Sequence, residues 1–203
     1  MKDQKHPVFT RFAEAQISSL TYKNNSYYLI DLKKEKNVNV LMTNGLSSFE
    51  MKTPPKKKDK CFVELCFCIP SYWDLETLEE QPYNWTLLWL AKISAYIKEQ
   101  DKWIGDGHTF FCGKERESFS NTMKQDHLFV SEPFMLEKEF SDLNVNNRSI
   151  SFLFLIPIFC DEMDYKQGKG TLLLKKKLYK NGVTEKLDDF RQSTLRNRWR
   201  FFK

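Results

Sequence analysis

The run FLFLIPIFC at residues 152–160 constrains this chain more than any other stretch. Nine apolar residues, Pro157 among them, lead directly into the acids of DEMD. A bilayer span takes about 20 apolar residues, so the run is too short for an anchor. Its length and composition predict a buried strand over 152–159. Pro157 marks an edge, a bulge or the last paired turn, since proline brings no N–H to a ladder. A second run, CFVELCFCI at 61–69, is apolar at all but one position. That pattern predicts a strand covered on both faces and central to a sheet. With 203 residues, 41 % hydrophobic and 15 % aromatic, the chain can fill one sizeable core around such strands.

The remaining periodicities give a mixed order of elements. A helix is predicted over 6–18, with Pro7 at its start and Phe9, Phe12, Ala13 and Ile17 on one side. Short strands at 27–32 and 38–42, with the turn signal Asn44-Gly45 after the second, predict a hairpin or meander. In NWTLLWLAKISAYIKE, residues 84–99, Trp85, Trp89, Ile93, Tyr96 and Ile97 fall at helical spacing behind a candidate Asn84 cap. Strands follow at 127–130 and 149–159, then a helix over 171–180 closed by Asn181-Gly182. From 186 onwards, Leu187, Phe190, Leu195, Trp199 and Phe202 recur at near-helical intervals between arginines, predicting a basic amphipathic helix. The expected fold is α+β: a single domain with a mixed β-sheet flanked by helices and a basic C-terminal helical tail. The expected boundaries are 1–24 for the N-terminal helix and lead-in, 25–182 for the domain and 183–203 for the tail.

Charge and motifs narrow the chemistry. The net charge of +5 sits in the last thirteen residues, which hold Arg191, Arg196, Arg198, Arg200, Lys203 and no acid. The rest of the chain is balanced, so no nucleic-acid-binding face spreads over the fold. Nucleic-acid binding or regulation through the tail stays as an alternative reading. Lys56, Lys57 and Lys58 after Pro54-Pro55 predict a solvated loop. The charged N-terminus has no apolar stretch of signal-peptide length, and a cytoplasmic location is expected. The five cysteines show no CxxC spacing and are expected to be reduced core residues. GxSxG, HExxH and GxGxxG are missing, and His6, His108 and His127 are the only histidines. Asp161 and Asp164 fit an N-cap with a first-turn acid better than a metal site. The GKGT stretch fails the phosphate-loop pattern at Met163 and Gly170. His108 and Cys112 lack a second pair to complete a zinc site. No metal, cofactor or enzymatic activity is therefore expected. A hydrolase or metalloenzyme built on His108 with Asp101, Asp106, Glu162 and Asp164 remains a second alternative.

Three blocks in order, ELCFCIPSYWDL at 64–75, WLAKISAYIKEQDKWIGDGHT at 89–109 and ISFLFLIPIFCDEMDYKQGKG at 150–170, resemble the suppressor-of-fused-like domain. The resemblance covers roughly residues 25–182 and implies a single α+β domain. In animals the name-giving protein is a non-enzymatic regulator that sequesters Gli transcription factors and uses a second domain, for which this chain has no room. Short single-domain relatives are mostly bacterial and are read as immunity proteins that bind and neutralise polymorphic toxins. The Lys- and Asn-rich composition is compatible with an AT-rich bacterial genome. The resemblance thus implies a protein-binding module whose partner is a toxin domain, with no membrane association. Trp73, Asp74, Asp101, Trp103, Asp106, His108, Thr109, Glu162 and Asp164 are its candidate binding residues. The cleft is expected near His108 and the Glu162-Met163-Asp164 turn.

Overall fold

The computed structural model describes residues 6–12, 15–74, 77–80, 82–113 and 117–195. In chain order the elements are β1 (Ile17–Tyr22), β2 (Asn25–Asp31), α1 (Lys33–Lys36), β3 (Val38–Thr43), β4 (Phe62–Pro70), α2 (Trp85–Glu99), β5 (Thr109–Phe111), β6 (His127–Ser131), β7 (Leu143–Val145), β8 (Arg148–Ile158), α3 (Cys160–Lys169) and α4 (Thr171–Lys180). The strands form one eight-stranded mixed sheet in the order β1-β2-β3-β4-β8-β6-β5, with β7 paired to β8 off that path. β4 and β8, the two apolar runs, lie side by side and parallel, from Phe62 opposite Ile150 to Cys66 opposite Phe154. They are buried for the reason a parallel pair must be: both faces are covered.

Alternation along these strands sorts the core into layers. Leu65, Phe67, Ile69, Leu153 and Leu155 point to one face and pack under α2, meeting Trp85, Trp89, Leu90, Ile93 and Ile97. Cys66, Cys68, Phe152 and Phe154 point to the other face, where Val8 and Phe12 of the N-terminal segment and Phe140 cover them. Farther along that face Ile156 and Ile158 meet Leu174 and Leu178 of α4. Cutting one of the buried phenylalanines to alanine in such a layer costs about 3–5 kcal/mol. All five cysteines are free, and Cys66 and Cys68 are fully buried.

Four local expectations are corrected. Residues 6–18 do not form one helix: a 3-10 turn spans Pro7–Arg11, and Ile17 already pairs with Ile30 in β1. His6 caps the turn by accepting the Val8 N–H at Nδ1, 3.2 Å, and the six-pair ladder with β2 outweighs the helical spacing of the side chains. Asn84 lies in helical conformation and makes no side-chain cap, because its N–H already bonds the Glu80 carbonyl and the chain enters α2 from a turn. Asp161 is not the N-cap of α3. Phe159 holds that position, and Glu162 reaches back to accept its N–H at 3.0 Å. The tail is not helical where it is described: Lys186 bridges in parallel to Cys68, and Leu187 donates its N–H to the Cys68 carbonyl at 2.8 Å. The part of the expected tail helix over 196–203 lies outside the described residues.

Pro157 fits this arrangement. It is paired with Leu128 of β6 but lies past Phe154, the last residue that β8 pairs with β4. Beyond that point the two parallel strands part, and the chain after Thr184 runs along the edge of β4 that β8 no longer pairs.

Candidate functional site

Three glutamates are buried among the described residues, and each is spent on backbone N–H groups. Glu64 on β4 accepts from Gly45 at 3.2 Å, from Ser47 at 2.9 Å and from the Thr43 hydroxyl. Glu185 accepts from Phe134, Met135 and Leu136 at 3.1, 3.0 and 2.7 Å, which fixes the turn after β6. Glu162 accepts from Phe159 and from Thr194, and Arg191 clamps it with both terminal nitrogens at 2.9 and 2.8 Å. Burial pushes the Glu162 carboxyl up, but the Arg191 hydrogen bond and charge outweigh it, so its pKa lies below the ordinary carboxylate value.

The same arginine donates to the Pro157 carbonyl at 2.7 Å. Nearby, the Ser193 hydroxyl donates to Asp161 at 2.6 Å, and Gln125 donates to the Asp188 carbonyl at 3.1 Å. Residues 186–194 therefore form a strap fastened to β4, β8, α3 and the segment before β6. It borders a groove of about 1020 Å³, lined by Tyr72, Lys186, Asp188, Phe190, Arg191 and Ser193 among others. Leu187 is buried beneath, whereas Phe190 is 79 % exposed and Tyr72 is 55 % exposed. Their ring centres lie 6.1 Å apart. The Tyr72 hydroxyl donates to Asp189, and burial together with that carboxylate pushes the phenol's pKa up. The groove lies outside the carboxyl ends of the parallel pair β4 and β8, the usual place for a ligand crevice in an open sheet.

The residues singled out from the sequence fall into separate places. Trp103, Asp106 and His108 come together in the loop before β5, and Thr109 opens that strand. His108 Nδ1 accepts the Gly105 N–H at 2.7 Å, and its ring stands edge-on to Trp103 with centres 4.5 Å apart. Burial, then the Lys166 charge, holds this imidazole below its ordinary pKa. Asp106 accepts from the Glu132 N–H at 3.1 Å and pairs with Lys175 of α4 at 2.7 Å. Gly107 has φ +91°, and a Cβ there would come within 3.0 Å of Thr171, so only glycine lets the loop close on α4. Asp106 thus ties the loop to α4 and to the residue after β6, while His108 braces it from within. Trp73 is core, packed on Tyr83 at 4.5 Å and on Trp85 at 6.3 Å. Asp74 is exposed, Asp101 pairs with Lys52, and Asp164 is exposed on α3 near the Cys160 thiol, 3.8 Å away. Glu162 spends its carboxylate on Arg191, Phe159 and Thr194 rather than on His108. Among the described residues no three His, Cys, Asp or Glu side chains gather as a metal site would require. No helix there is long and apolar enough to cross a membrane.

The sequence reading missed Tyr72, Phe190 and the Arg191–Glu162 clamp. Arg191 falls among the tail bases, and nothing local in RQSTLR signals a partner 29 residues earlier. That clamp also removes Arg191 from any phosphate contact.

A family model described as suppressor of fused protein matches residues 21–192. No curated protein matches the chain. Solved structures do. A suppressor-of-fused homologue from Neisseria gonorrhoeae superposes with TM-score 0.67 at 15 % identity, over 94 % of this chain and 93 % of that one. The structure of the Sufu–Fu complex gives TM-score 0.60 at 15 % identity over 92 % of this chain and 87 % of that one. Drosophila Suppressor of Fused gives 0.56 at 13 % identity, covering 89 % of this chain and 42 % of the other. At these identities the likeness is one of fold.

Proposed function

Because the chain belongs to the suppressor-of-fused family, we propose that it is a non-enzymatic protein-binding module of the immunity type, which captures and neutralises a bacterial toxin domain in the cytoplasm. The observation that carries this reading is the pair of exposed aromatics, Tyr72 and Phe190, on a groove whose strap is held by a buried ion pair. Rigid exposed aromatics beside a concavity are what binding hot spots are built from. A related fold is known in a complex with Fu, which supports protein capture as the use of this scaffold. The buried acids support the same reading, since each is occupied in holding a loop.

The test is affinity capture from the native lysate with the full chain and with Tyr72→Ala/Phe190→Ala, followed by expression of the captured partner alone and together with this chain. The reading expects a stoichiometric partner that stops growth alone, is harmless in the pair, and is lost from the double variant. A captured partner without toxicity would remove the immunity role. Capture unaffected by the double variant would remove the groove.

A further inference from the structure

The outer face of α4 carries a pattern that the fold does not use. At about 100° per residue, Leu172, Lys176, Lys180, Leu173 and Lys177 fill one continuous arc of roughly 140°. Leu174 and Leu178 on the opposite side are buried against the sheet. Leu172 is 65 % exposed and Leu173 44 % exposed, although α4 already has its core contacts. The lysines are sorted by the same geometry. Lys175, outside the arc, is paired with Asp106, whereas Lys176, Lys177 and Lys180 have no carboxylate partner among the described residues. The face is therefore apolar at its N-terminal end and cationic towards its C-terminal end.

We propose that this face docks an acidic, leucine-bearing helical segment of a partner protein. The proposal rests on the protein-binding reading but concerns a second surface, apart from the groove. Lysines near a helix C-terminus already favour the helix dipole, which accounts for their position but not for two exposed leucines at the other end. Charge complementarity sets the partner: carboxylates opposite Lys176 and Lys180, apolar side chains opposite Leu172 and Leu173. The partner's acids are best placed near its own N-terminus, so the two helices run antiparallel with their dipoles opposed. An anionic bilayer fits less well, because two leucines offer little insertion and the rest of the apolar surface of α4 is turned inward. Nucleic acid fits less well too, since the arc holds no arginine and no aromatic ring for a base to stack on.

The test uses the full chain and a synthetic three-heptad peptide with one leucine face and glutamates in its N-terminal turns. A scrambled peptide of equal charge, phosphatidylserine vesicles and single-stranded DNA are the comparison probes. The expected result is salt-sensitive binding of the patterned peptide, weakened about tenfold or more, roughly 1.4 kcal/mol, by Leu172→Ser/Leu173→Ser and by Lys176→Glu/Lys180→Glu. Both variants should melt as the parent does, since the changed side chains are turned outward. Tyr72→Ala/Phe190→Ala should leave peptide binding unchanged, so that a failure of the groove and a failure of α4 can be told apart. No binding of the patterned peptide, equal binding of the scrambled one, or vesicle or DNA binding lost in the same variants would overturn the proposal.

Discussion

Glu64 and Glu162 are both 0 % exposed, and each faces a basic side chain that is 7 % exposed. Their settlements are opposite. Glu162 meets Arg191 at 2.8 Å, a group that keeps its proton at any pH the fold survives, and its pKa falls. Glu64 meets His6 only at 3.8 Å, and burial raises its pKa despite the Thr43 and Ser47 hydrogen bonds that oppose the rise. His6 is itself held neutral by burial, its pKa lowered to about 4. Because its Nδ1 accepts the Val8 N–H, the proton of the neutral ring sits on Nε2, facing the carboxylate. A buried acid stays charged cheaply only beside a partner that cannot give up its own charge.

The largest expected effect is that of Arg191→Met. It leaves Glu162 buried and unpaired, and should cost about 3–5 kcal/mol, a fall of roughly 6–20 °C in Tm. The pH dependence should invert as well. In the parent the Glu162 contribution is present above the unfolded pKa of 4.5 and is lost as pH falls through the lower folded value. In the variant, acid should stabilise, because protonation relieves the stranded charge. Thermal melts of both proteins from pH 7 down to pH 4 check the sign, and a variant that still loses stability on acidification would break the contrast.

Glu64→Gln should cost less, about 1–2 kcal/mol near pH 5, because an amide nitrogen in place of Oε2 cannot accept the Thr43 hydroxyl proton. A raised folded pKa means that Glu64 stabilises fully below 4.5 and that this share is lost as pH rises through the folded value. The cost of the variant should therefore shrink towards pH 8. Urea denaturation at both pH values measures it, and a cost that grows with pH would mean that Glu64 is a stabilising anion after all.

His6→Asn keeps an acceptor for the Val8 N–H and should change stability by no more than about 1 kcal/mol at pH 7.5. Its informative effect is the slope: the neutral His6 contribution is present above 6.5 and lost as pH falls towards 4, and asparagine should flatten that loss. Smallest of all, Tyr72→Phe removes a solvent-facing hydrogen bond to Asp189 and should shift stability by no more than about 0.5 kcal/mol. A larger shift there would mean that the strap depends on Tyr72 as well as on Arg191.

What could be read in the sequence was whatever burial writes locally. β4 and β8 were legible because a strand covered on both faces must be apolar throughout, and α2 because its inner face repeats every three to four residues. β1 was not, since ISSLTY at the sheet edge is only half-buried and its partner lies across a turn. The tail misled because Leu187 and Phe190 have helical spacing, yet only Leu187 is buried. What fixes the segment is the distant Cys68 carbonyl, which β8 does not reach and which accepts the Leu187 N–H. Of the candidate site, what holds His108 in place is the Gly105 N–H and the Trp103 ring, contacts that the spacing of GDGHT does not display. Trp73 belongs to the core, and the partner of Glu162 could not be inferred because ion pairs leave no periodic trace.

The bridge from Lys186 to Cys68 also sets a timetable. During synthesis β4 leaves the ribosome early, but the residues that pair with its far end and with Pro157 follow only after α2, α3 and α4 have been made. Closing so long a loop is slow, and the rate of folding is governed by such distant pairings. A released chain ending before Arg191 would keep the residues of every strand yet leave the Glu162 carboxylate without its arginine, and should be cut by protease faster than the full chain.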